Sequence, residues 1–151
     1  MRRRAPIARR TPLRRGMKPI PRNPGARGSR TSAHRKARMR LADVADALWA
    51  TLVKLPGKCE ECGSTRDLTA AHGFSRRFHG TRWLPINGFA QCFACHEGYR
   101  LHPKAWDARL RVLWGPLVYE NLLVMREGKP DLKETIAVLR AELAVRGSSA
   151  A

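Results

Sequence analysis

Two cysteine pairs, Cys59-Glu60-Glu61-Cys62 and Cys92-Phe93-Ala94-Cys95, constrain this chain more than any other feature. A two-residue gap lets both thiolates of one tight turn reach the same ion. Two such turns supply the four sulfurs of a closed tetrahedral zinc site. All four cysteines of the chain are used in this way. Disulfides would need an oxidising compartment, and the Arg2-Arg3-Arg4 that follows Met1 leads into no apolar run of signal-peptide length. The reading is a cytoplasmic chain with reduced thiols and a structural Zn2+. Ribbons of this kind often leave about 15 to 20 residues between pairs. Here 29 residues separate Cys62 from Cys92, room for a strand, a loop and a second strand.

Charge divides the chain. Residues 1 to 42 carry 15 of the 30 Lys and Arg and no acid, since the first is Asp43. The remaining residues set 15 basic side chains against 12 acidic ones, so the excess belongs to the N-terminal part. Such a segment suits a polyanion, because each cation placed on a phosphate releases a condensed counterion. A membrane surface fits poorly: Ile7, Leu13, Met17 and Ile20 stand singly among arginines and prolines, and no stretch of about 20 apolar residues exists to span a bilayer. Five prolines and three glycines within residues 1 to 30 disfavour helix and strand. Residues 1 to 31 therefore read as a disordered basic tail for nucleic acid, with a solubility or targeting tail as the plainer alternative. RNA or ribosome association is a further reading of the same arginines.

Beyond the tail, Leu41, Val44, Ala45, Leu48, Trp49, Leu52 and Val53 recur at helical spacing from a start near Ser32, and Pro56-Gly57 ends the run. Arg35, Lys36, Arg38 and Arg40 make the start of this helix basic. Leu68 to Phe74 predicts a short strand ending near His72, and Gly88 to Gln91 predicts its partner. Ser75 to Asn87 reads as a polar, cationic loop, and a helix is expected after Cys95 with His96 in its first turn. His102-Pro103 suits the start of another helix. Gly115-Pro116 and Gly128-Lys129-Pro130 divide the C-terminal third into helical blocks, and Asp131 can cap a last helix with Leu132, Ile136, Leu139 and Leu143 on one face.

His72 at the end of a strand, a cationic loop, Asn87, and then Cys92-Phe93-Ala94-Cys95-His96 opening a helix resemble the HNH endonuclease fold in its subclass with a C-x-x-C zinc frame. More narrowly, Ala71-His72-Gly73-Phe74-Ser75-Arg76, Thr81-Arg82-Trp83, Asn87, Gln91-Cys92 and Cys95-His96 are similar to phage NinG/Rap type recombination proteins, over about residues 57 to 127. The resemblance implies an α+β fold: a small zinc-stapled ββα-metal core with flanking helices behind the basic tail. It also implies a metal-dependent endonuclease, phage-encoded or prophage-borne, that cleaves DNA phosphodiester bonds in recombination or branched-DNA processing. His72 would be the general base, Asn87 would orient strand and base, and His96 would bind a catalytic Mg2+ or Mn2+. A neutral imidazole near pH 7 suits a base. Arg76, Arg77 and Arg82 read as phosphate clamps that position a duplex without reading its sequence.

HNH enzymes commonly carry a metal-ligating Asp or His just before the base, where this chain has Ala71. His79 and His102 are the candidates to supply that ligand, and a non-catalytic, zinc-stapled DNA-binding recombination accessory is the alternative function. Each assignment has a plainer counterpart: His72 as a fifth group of the zinc shell or a buried strand histidine, Asn87 as a turn residue before Gly88, His96 as a zinc ligand or helix cap, the arginines as a solvated loop. The expected organisation is the tail over residues 1–31, a helix plus zinc-bound nuclease domain over 32–127, and a C-terminal helix with a short flexible end over 128–151. The expected partners are DNA and no membrane, with room for a homodimer and for a recombinase.

Overall fold

A computed structural model describes residues 29–148, with side chains from residue 32 onward. The expected disorder of the basic tail thus falls, for residues 1–28, outside the described residues, as do the last three. Helix α1 spans Ser29–Lys54. Strands β1, Leu68–His72, and β2, Gly88–Cys92, pair antiparallel from Leu68 opposite Cys92 to His72 opposite Gly88. Between them lie helix α2, His79–Arg82, and a 3-10 turn, Pro85–Asn87. Helices α3 (Phe93–Leu101), α4 (Pro103–Met125) and α5 (Leu132–Ser148) complete the order. The architecture is α+β, with a small two-stranded sheet set among helices.

The period of two along the strands gives the hairpin two apolar faces. Ala71 and Phe89 face one way and are buried with Phe74, Leu110, Tyr119 and Leu122, so that α4 covers this side. Ala70 lies against the other cluster, Ala45, Trp49, Leu52 and Val53 of α1 with Leu132, Ile136 and Leu139 of α5, and Trp83 joins it from the loop. The apolar stripe read on the first helix is therefore the one that is buried, and the helix packs on the hairpin. Val44 is its exception, exposed at the edge of the stripe.

Four elements differ from the sequence reading. Helix α1 starts at Ser29, three residues inside the expected tail. The supposed polar loop reaches into the core: Thr81, Trp83 and Asn87 are all buried. Its hydrogen-bonding side chains find partners inside, which a hydrophobicity pattern does not register. Helix α3 begins at Phe93, before Cys95, because Cys92 in extended conformation already caps it, so His96 sits at the end of the first turn. The C-terminal helix is no appendage, since Leu132, Ile136 and Leu139 share one core with α1. The other boundaries agree. Gly115, at φ 71°, breaks α4 before Pro116, and Asp131 Oδ1 accepts the N–H groups of Lys133 and Glu134 at the start of α5.

Candidate metal centre and histidine cleft

Cys59 and Cys62 stand on the turn before β1, and Cys92 and Cys95 at the passage from β2 into α3. The first turn closes with Gly63, at φ 74°, donating its N–H to Cys59 O. It is fastened to β2 twice, by Glu60 N–H to Ala90 O and by Ala90 N–H to the Glu60 carboxylate. The four Sγ atoms all lie within 4.8 Å of one another, with Cys62 and Cys92 at 3.6 Å. A tetrahedron with metal–sulfur bonds of about 2.3 Å has edges of about 3.8 Å, so the cage has the size of zinc. Its electrostatics also ask for a cation. Burial opposes ionisation of Cys59, yet the backbone N–H groups around it draw its pKa down to about 6. The Cys92 side chain and burial push Cys95 up to about 12. Four thiols this close cannot all ionise alone, and a divalent metal removes the conflict. The residues present fit a structural zinc ion, which would take all four sulfurs and keep no open position.

His72, at the end of β1, is half-buried. Its ring stacks on Trp49 of α1 with centroids 3.9 Å apart and planes 19° from parallel. Its Nε2 lies 3.1 Å from the carbonyl oxygen of Arg82. A carbonyl can only accept, so Nε2 carries the proton and Nδ1 keeps the lone pair. Nδ1 has no hydrogen-bond partner among the described residues. Burial, with the charges of Arg82 and Arg76 adding to it, lowers the His72 pKa to about 4 against the opposing pull of the Arg82 carbonyl and Asp46. The imidazole is neutral at pH 7.

His72 lines a cleft of about 560 Å³ with Arg76, Gln91, His96, Tyr99 and Arg100. His96, on the first turn of α3, thus shares one space with His72. Its Nδ1 is 3.4 Å from the Thr69 hydroxyl, which donates its own proton to Gln91 O at 3.0 Å. Toward His96 that oxygen is then an acceptor, which leaves the proton on Nδ1 and the lone pair on Nε2, the arrangement of a metal-ligating histidine. Neither His79 nor His102 lines this cleft. His79 stacks on Trp83, and His102 lines a separate hollow beside Cys62 and Cys95. Ala71 is 1% exposed among Phe74, Phe89 and Leu110, so an acid there would enter an apolar core. Gln91 was not singled out as a site residue from the sequence. It is buried, and neither of its amide atoms has a hydrogen-bond partner.

No hydrogen bond joins the Asn87 side chain to His72. It is fully buried, and its Oδ1 accepts Phe74 N–H at 2.6 Å while its Nδ2 donates to Phe74 O and Thr81 O. It clasps the two ends of the loop that carries the arginines. Arg76 reaches the cleft. Arg77 is exposed, over the ring of Phe78. Arg82 is committed elsewhere, with Nε and Nη2 both donating to the Asp46 carboxylate of α1. Sequence inspection could not pair Arg82 with Asp46, 36 residues away. Among the described residues no helix is long and apolar enough to cross a membrane. No family model, curated protein or solved structure matches the chain.

Proposed function

We propose that the chain is a metal-dependent DNA endonuclease of the HNH type, working in the cytoplasm of a bacterial host on behalf of a phage or prophage, in recombination or the processing of branched DNA. The observation that carries this reading is His72: a neutral imidazole whose proton is held on Nε2, whose Nδ1 keeps its lone pair, and which lines one cleft with His96. In that state His72 Nδ1 takes the proton from a water molecule attacking a phosphodiester phosphorus, and the Arg82 carbonyl stabilises the imidazolium that forms. Arg76 on the cleft wall draws in the phosphate, beside Arg100, which is paired with the Glu97 carboxylate. His96 Nε2 would hold a Mg2+ or Mn2+ ion, which when bound supplies positive charge to the phosphoryl oxygens and the departing 3′ oxygen. Asn87 supports the site by holding the loop through Phe74 and Thr81.

A second reading, a zinc-stapled DNA-binding accessory without catalysis, draws on a specific observation. Among the described residues the four cysteines are the one group of three or more His, Cys, Asp or Glu that converges on a metal position. The two readings separate in a nicking assay on linear, single-stranded and branched DNA with Mg2+ or Mn2+. The endonuclease cleaves at least one of these, and His72→Ala lowers its rate by about 10²-fold or more. Cleavage of none by zinc-loaded protein, or equal cleavage by His72→Ala, leaves the accessory reading.

A further inference from the structure

Helix α1 reaches His72 by two routes that lie one helical turn apart. Asp46 places its carboxylate against the dipeptide Arg82-Trp83: Arg82 donates from Nε at 3.0 Å and from Nη2 at 2.5 Å, and Trp83 donates from Nε1 at 2.7 Å. Trp49, three residues on, lays its ring on the His72 imidazole and donates its own Nε1–H to Leu84 O at 3.0 Å. Segment 82–84 is thus gripped from α1 at two points. Between them the Arg82 carbonyl points at His72 Nε2. Arg82 is the residue whose side chain Asp46 holds and whose main chain holds the histidine.

We propose that Asp46 is a positioning residue for His72: through Arg82 and Trp83 it fixes the carbonyl that keeps the imidazole proton on Nε2, and so leaves the lone pair on Nδ1. Its mechanism rests on the endonuclease reading for its effect on rate, but not for its effect on the imidazole. Three donors on one carboxylate define the plane and position of the dipeptide more tightly than any single bond. The charged groups facing His72 are Asp46 on α1, Arg82 on α2 and Arg76 on the loop after β1. Asp46 and Arg82 oppose one another there, so loss of the carboxylate leaves the guanidinium unbalanced and its main chain unpinned.

Asp46→Asn is the direct test, because the amide keeps one acceptor for Trp83 but turns a donor toward Arg82. Imidazole ¹⁵N chemical shifts of the zinc-loaded protein report the tautomer without any reference to activity. In the parent, His72 is expected as the Nε2–H form alone, and in Asp46→Asn as a mixture with Nδ1–H. The cleavage rate is expected to fall 10- to 100-fold, the usual consequence of a small misplacement of a reacting group, with KM within about twofold because Asp46 is not placed on the DNA. Asp46→Glu, which restores charge and both acceptors on a longer arm, is expected to recover the tautomer in part, and it serves in place of Asp46→Asn if that variant does not hold zinc. A pure Nε2–H form in both variants overturns the proposal. A mixed tautomer in a protein that cleaves nothing upholds the positioning role and removes the endonuclease reading instead.

Discussion

Asn87 shows at the scale of one residue how a site can be located from a sequence while the partners of its side chain cannot. Its place just before β2 is where an orienting asparagine was expected, but its amide is spent inside the loop, on Phe74 and Thr81. Asn87→Ala should therefore act first on stability. Three buried backbone groups lose their partners, and the expected loss is about 2 to 4 kcal/mol in urea unfolding, larger than for a surface asparagine. His72 was legible as a chemical group, since a histidine at a strand end next to a cationic loop is a short-range pattern. The groups that set its state were not, because Trp49, Asp46 and the Arg82 carbonyl converge from three elements. Its lowered pKa has a consequence for stability. The unfolded chain binds a proton at His72 near pH 6.5, whereas the folded chain resists it until about 4. Stability is thus fully present above about 6.5 and declines as pH falls toward 4. Subtracting the unfolding free energy of His72→Gln from that of the parent, pH by pH, cancels the zinc contribution and should expose this decline. A flat difference between pH 7 and 4.5 would contradict it.

Among the elements, those written in a single period were readable and those assembled from distant parts were not. The faces of α1 and α5 follow from apolar residues three and four apart, and β1 and β2 from the cysteine turns that bracket them. Helix α2 has only four residues, too few to hold itself together, and it exists because Thr81 is buried and Trp83 is drawn into the α1–α5 cluster. Gly80 belongs to this category. In the sequence it reads as a loop glycine, yet its role is the close approach of α2 to the end of α4. A Cβ at this position would stand 1.8 Å from Met125 O and 2.8 Å from Gly128 N. Both are backbone atoms, so no side chain can turn aside. Gly80→Ala should separate the two elements and cost about 1 to 3 kcal/mol, read as a lowered urea midpoint. The same methyl at Gly98 on α3, where nothing lies within 4 Å, should be tolerated and serves as the control.

At the scale of the whole molecule, one cation-poor and one cation-rich requirement meet. The cysteine cage is placed to hold a divalent ion. Its first turn is latched to β2 through Glu60 and Ala90, so the metal and the hairpin stand or fall together. Zinc sites in small domains contribute about 10 to 16 kcal/mol of apparent binding energy, comparable to the whole stability of a domain. Chelation, or Cys59→Ser, should abolish amide protection across residues 59 to 95, and a hairpin that stays protected without metal would show that the apolar clusters suffice. Opposite this sits the surplus of positive charge. Every described side chain from Ser32 to Arg40 is exposed, and no acid precedes Asp43, so the first turns of α1 present Arg35, Lys36, Arg38 and Arg40 unopposed. Like charges three and four apart weaken an isolated helix, whereas a row of phosphates would turn the same repulsion into attraction. If this end of α1 lies on DNA, replacing those four cations with alanine should make the plot of log affinity against log salt shallower by up to about 3.6, at roughly 0.9 per phosphate contact. His72 and His96 are untouched by that change, so the cleavage rate at saturating DNA should stay near that of the parent. An unchanged salt slope would assign DNA contact to the cleft arginines and to residues before Ser29, and leave the start of α1 a solvated extension.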